Sequence, residues 1–185
     1  MPGPSDIDRT PLHAELETAR ADLAALLAAA TPAELRRRSN GTRWTNEQLL
    51  FHMVFGYMVV RTLLPLMRLV GRLPRRVGTV FAAALDLAAR PFHVVNYLGS
   101  CAAALVFNRR RMQGQMDRVI ASLHRSLDRR PDGELLSGMP FPVRWDPFFR
   151  PWMSLQDVYH YATQHYDFHR AQLSFDLPPP PDRHA

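Results

Sequence analysis

The chain contains no lysine and a single cysteine. With every basic side chain an arginine, the formal net charge of +6 reads as the coding bias of a GC-rich, bacterial genome, and no nucleic-acid partner is expected from charge alone. One cysteine, Cys101, excludes an internal disulfide and fits a reducing compartment. It lies in the small-residue run Gly99-Ser100-Cys101-Ala102-Ala103-Ala104, which predicts a buried, inert thiol on a closely packed helix. The opening residues Met1-Pro2-Gly3-Pro4-Ser5-Asp6 lack the basic-then-apolar layout of a secretory signal, so a cytoplasmic location is expected. No uninterrupted apolar stretch reaches the ~20 residues of a membrane span. The run Phe92–Phe107 comes nearest and is interrupted by His93 and Asn96.

What is present is helical periodicity. At 185 residues and 46% apolar content the chain can bury one core, so residues 1–177 are read as a single domain followed by a proline-rich, disordered tail at 178–185, where His184 carries no meaning. An opening helix is expected from Thr10 to Ala29, with Leu12, Leu16, Leu23, Leu26 and Leu27 inward and Glu15, Glu17, Arg20 and Asp22 mostly outward. Pro32–Arg36 suggests a short helical turn in the connection that follows. Two further helices carry start signals: Thr45-Asn46-Glu47-Gln48 and Ser154-Leu155-Gln156-Asp157 both read as capping boxes, with Trp44/Leu49 and Met153/Val158 placed as staples. The first of these should end near Leu64, because Pro65 removes a backbone donor. A long helix is expected over Val94–Leu127, with His124 solvated near its end.

The chemistry concentrates on three histidines. His165 and His169 are four residues apart in the amphipathic run Ser154–Phe175, so on a helix they share a face and two imidazoles can address one ion. They fall within the apolar stripe of Leu155, Val158, Ala162, Tyr166 and Leu173 and therefore point inward. His160 lies about 140° around at ~100° per residue and cannot easily join them. Upstream, His52 is the polar member of the stripe Leu49, His52, Met53, Gly56, Val59, Val60 and Leu63. An unpartnered buried polar group costs about 1–3 kcal/mol, so His52 needs either a hydrogen bond or a metal. Tyr166 stands where H-E-x-x-H has its general base, which sets a zinc-protease mechanism aside.

Two segments should surround this centre. From about 66 to 90, Arg68, Arg72, Arg75, Arg76 and Arg90 alternate with apolar stretches; this reads as an insertion of one or two packing helices, or as a basic amphipathic surface for an anionic bilayer or a pocket lid. From Arg130 to Met153 the chain is rich in proline and aromatics, too irregular for a helix and too apolar for a free linker, and should wall the pocket.

Two stretches then resemble a known family. Trp44-Thr45-Asn46-Glu47-Gln48-Leu49-Leu50-Phe51-His52 is similar to a tryptophan-led second helix ending in a histidine, and His165-Tyr166-Asp167-Phe168-His169-Arg170-Ala171-Gln172-Leu173 to a last helix with H-x-x-x-H, in the DinB-like superfamily of metal-binding four-helix bundles. That superfamily includes thiol S-transferases and mycothiol-dependent maleylpyruvate isomerase. The resemblance implies an all-α, DinB-like four-helix bundle; the segment from about Leu66 to Arg90 departs from the family, being longer and more basic, and reads as an inserted helical segment between the second and third core helices. It implies that His52, His165 and His169 hold one divalent ion, zinc or nickel, with open positions for water or substrate. Three protein ligands with a vacancy suit catalysis. The implied activity is a transferase or isomerase that activates a small thiol, with mycothiol as candidate co-substrate. Arg170, Arg144 and Trp145 are candidates to meet the small-molecule substrate, and Asp167 or Gln164 to orient an imidazole, although both lie off the inward face. The alternative is a non-catalytic bundle whose insertion contacts a membrane surface or protein partner. A homodimer through an apolar helix face is compatible with either.

Overall fold

A computed structural model describes residues 7–177 and Pro179, so the proline-rich tail assigned to 178–185 lies, but for Pro179, outside the described residues. Its elements in chain order are α1 (Thr10–Ala29), α2 (Pro32–Arg36), α3 (Asn46–Val70), α4 (Arg75–Leu87), α5 (Ala89–Val106), α6 (Arg109–Asp128), α7 (Asp132–Leu135), β1 (Gly138–Pro140), β2 (Trp152–Ser154) and α8 (Leu155–Arg170). The fold is all-α, a four-helix bundle: α1 and α3 each pack against both α6 and α8, around one continuous apolar core. Helices α3 and α8 begin where their capping boxes place them. Thr45 Oγ1 accepts from Gln48 N at 3.3 Å while Gln48 Oε1 accepts from Thr45 N at 2.9 Å, and Ser154 and Asp157 repeat the exchange at 3.1 and 2.8 Å. The turn at Pro32–Arg36 forms as α2, under a third such box made by Thr31 and Glu34.

Helix α3 continues six residues beyond Leu64, through Pro65. A proline inside a helix costs about 3 kcal/mol and deprives the carbonyl four residues back of its donor. Here both Pro65 and that residue, Arg61, face solvent, where water can satisfy the carbonyl. Continuation buries Met67 and Val70, which offsets the loss. By length and composition α3 is also apolar enough to cross a membrane, yet 56% of its most apolar window is buried; it is the central helix, touched by α5, α6 and α8.

The long helix expected over Val94–Leu127 is two helices. Phe107 leaves helical geometry at φ −99°, ψ 59°, and α6 restarts with Asn108 Oδ1 accepting from Arg110 N at 3.2 Å and Glu47 Oε1 accepting from Arg109 N at 3.0 Å. The inserted segment is therefore the α4–α5 pair, and it begins and ends later than 66–90. Cys101, on α5, is half-buried rather than buried.

Two polar residues also depart from expectation. His124 is not solvated: its Nε2 lies 2.7 Å from Glu17 Oε1, and its ring stacks on His13 at 4.8 Å along the α1–α6 seam. Asp22, expected outward, is buried at 3% exposure between α1 and α8. Its carboxylate accepts from Arg170 Nε (2.8 Å) and Nη2 (3.0 Å) and from Tyr166 Oη (3.0 Å). Burial and the Asp22 charge push the Tyr166 hydroxyl well above its ordinary range, so it stays a donor.

The segment from Arg130 to Met153 wraps over the open end of the bundle. It contains α7 and the antiparallel ladder β1–β2, with Met139 opposite Met153. Gly138 lies so close to the β2 backbone that a Cβ there would sit 2.3 Å from Met153 O, so only glycine permits the pairing. Helix α8 ends at Arg170, five residues short of Phe175; Leu173 is nonetheless buried beyond its end.

Candidate metal centre

Helices α3 and α8 bring His52, His165 and His169 together. Their ring centroids lie 4.6–4.9 Å apart, and one nitrogen from each lies within 4.8 Å of the others. His160 points away, its Nδ1 2.8 Å from Glu15 Oε1.

Each ring is held differently. His52 Nδ1 lies 3.1 Å from Ser100 Oγ on α5, and the Trp44 indole stacks on the ring at 4.4 Å. His169 Nδ1–H donates to Gln172 Oε1 at 2.7 Å, which leaves its Nε2 with the lone pair. His165 is buried, its Nδ1 without a hydrogen-bond partner among the described residues, and its Nε2 lies 4.0 Å from Asp146 Oδ2. The ring fits only because residue 56 is glycine, since a Cβ on Gly56 would come 2.7 Å from His165 Nδ1.

Burial, and then the proximity of His169, holds His52 far below its ordinary value of 6.5, at about 3. Burial and the two neighbouring rings also push His165 well below its ordinary range, and burial lowers His169 against the opposing pull of Gln172 and Asp146. All three are thus neutral imidazoles at pH 7, the form that binds a cation. Three neutral imidazoles with one nitrogen each within 4.8 Å of the others, one ring also carrying a buried nitrogen that has no hydrogen-bond partner among the described residues, make a donor set that a divalent ion satisfies, so the residues fit the group.

Acidification should destabilise the metal-free protein. The unfolded chain takes up a proton at His52 near 6.5, the folded chain only near 3, so stability present above 6.5 drains away as pH falls toward 3. His52 alone should cost about 2 kcal/mol by about pH 5. Urea unfolding in chelator at neutral and acidic pH measures this, and an unchanged midpoint would contradict it.

The histidines sit at the floor of a cavity of about 370 Å³, within the usual range for small-molecule sites. Its walls are mainly aromatic and aliphatic, with Phe55 and Val59 from α3, Phe81 from α4, Phe92 from α5 and Phe148 and Phe149 from the wrapping segment. Trp145 lines it, stacked on Phe92 at 3.8 Å with Nε1–H donating to Leu85 O at 2.7 Å. Arg144 is exposed beside this stack, and its backbone is tied to Asp86 and His93. Arg170 is not at the cavity. Next to His169 in sequence, it projects about 100° around the helix and is taken up by buried Asp22.

The profile of the DinB superfamily matches residues 15–173, nearly the whole bundle. The chain belongs to the DinB superfamily. No curated protein and no solved structure matches it. Within this DinB bundle, sequence reasoning missed the groups that hold the rings. Gln172 was signalled by its i,i+3 spacing from His169 and takes the orienting place considered for Asp167 and Gln164. Ser100 lay hidden in a small-residue run. Asp146, whose carboxyl is raised by burial and accepts from Tyr161 Oη at 2.9 Å, sits in irregular chain where no periodicity could place it.

Proposed function

We propose that the protein is a divalent-metal-dependent transferase or isomerase that activates a small thiol, mycothiol-like, or water for attack on an apolar electrophile. The observation that carries this reading is the set of three neutral imidazoles at the floor of an apolar cavity. An ion held by His52, His165 and His169, zinc or nickel by donor type, would lower the pKa of a thiol or water toward neutrality.

The chain's own groups prepare that chemistry. Ser100 and Gln172 fix two ring orientations, and the Trp44 stack restricts His52 further. Tyr161 stays protonated, because burial and the Asp146 charge raise it, and donates to Asp146, which pins the wrapping segment over the centre. The aromatic walls exclude water and select an apolar substrate body. Arg144, exposed beside the Trp145 stack, is the group available to an acidic substituent. Trp145 offers a ring face already braced by Phe92.

Elemental analysis of protein purified without added metal or chelator should find a stoichiometric divalent ion, and a thiol-consumption screen over apolar electrophiles should show turnover that chelator removes. Protein that holds no ion and cannot be loaded would overturn the reading.

A further inference from the structure

We propose that the α4–α5 hairpin is a docking surface for an anionic lipid bilayer. The inference does not depend on the enzymatic reading, because it rests on the outer face of the hairpin and the metal centre on its inner side.

Charge is the first observation. Residues 66–111 contain eight arginines and one acid, Asp86, a formal +7, so the rest of the chain carries −1 of the total of +6. Three of these arginines and Asp86 lie on the hairpin itself, Arg72 precedes it, Arg109, Arg110 and Arg111 open α6 just beyond it, and Arg68 on α3 is paired with Glu134. Apolar exposure is the second. Of fourteen exposed large hydrophobic residues among those described, ten lie between 66 and 111. On α5 they form a stripe: Val94, Val95, Leu98, Leu105 and Val106 recur on one side of the helix and are 52–82% exposed. No charged residue interrupts α5 between Arg90 and Arg109, while arginines stand at both ends of its length of about 27 Å. On α4, Val80 and Leu87 are 70% and 84% exposed.

A face both strongly basic and aliphatic narrows the occupant. A second copy bringing the same face would set the arginines of one copy against those of the other. A nucleic acid would use the arginines and leave the valines and leucines without a partner. An anionic bilayer meets both needs, with the stripe in the acyl boundary and the guanidinium groups among the headgroups. Helix α5 is held on its other side by α3, so it lies along the interface rather than crossing it. Because Phe81 and Phe92 of the same hairpin wall the metal cavity, docking places that cavity against the membrane surface.

Flotation of the full chain with phosphatidylcholine vesicles, and with vesicles that also carry phosphatidylglycerol, tests the proposal. Binding should occur on the anionic vesicles, fall with salt, and be weak on the neutral ones. The surface pair Arg110→Gln with Arg111→Gln should weaken partitioning about thirtyfold. Leu98→Asp with Leu105→Asp should weaken it at least about tenfold with an unchanged circular dichroism spectrum. No binding, or binding indifferent to phosphatidylglycerol, overturns the proposal. So does lipid-free self-association that Leu98→Asp abolishes, which would assign the stripe to a second copy. Loss of metal with retained flotation would remove the enzymatic reading alone.

Discussion

His169→Ala should abolish stoichiometric binding of a divalent ion, as read by elemental analysis and by competition with a chromophoric chelator. The ring it removes stands 4.7 Å from His52 and 4.6 Å from His165, centroid to centroid, and among the described residues no other histidine joins this cluster. The effect should exceed that of Gln172→Ala, which leaves the ligand in place and removes only the acceptor that fixes its tautomer. Losing such a supporting group typically weakens metal affinity about 10–100-fold. His160→Ala, on the far side of α8 beside Glu15, should bind metal normally. Retained stoichiometric metal in His169→Ala would show that these are not the ligands.

The largest loss of stability is expected from Asp22→Ala. It leaves the Arg170 guanidinium, whose side chain is 14% exposed, without its carboxylate, and it removes the acceptor of the Tyr166 hydroxyl. Breaking one partner of a buried ion pair costs about 3–5 kcal/mol. In a chain of this size that lowers the melting temperature by on the order of 10 °C. The double variant Asp22→Leu with Arg170→Met should recover the part of the loss due to the stranded charge, because both charges are replaced by apolar groups, while the Tyr166 hydroxyl, still deprived of the Asp22 acceptor, keeps the remainder. It should also keep the ion, since neither side chain touches the centre. Loss of metal in a folded double variant would return Arg170 to the site.

Local signals carried most of the frame. Capping boxes at Thr45 and Ser154 depend on residues three apart, so they were legible without any tertiary knowledge, and the helices start there. The convergence of His52 with His165 and His169 was legible because inward faces of two amphipathic helices in one small bundle have few places to go. What the chain order concealed was decided by distant partners. Asp22 reads as surface on α1 until Arg170 arrives from α8. Pro65 reads as a stop until the burial of Met67 and Val70 outweighs it. Asn108 reads as mid-helix until Glu47 of α3 helps cap α6. Ser100 and Asp146 reach the centre from segments whose placement no period describes.

The 3.1 Å contact between Ser100 and His52 has a consequence for how such a protein can change over time. An appendage that merely decorated a bundle could be trimmed or exchanged freely. This one reaches into the innermost chemistry, so shortening it would release an imidazole from its brace and unroof the chamber at once. In this chain the hairpin and the three-ring centre are therefore one mechanical unit.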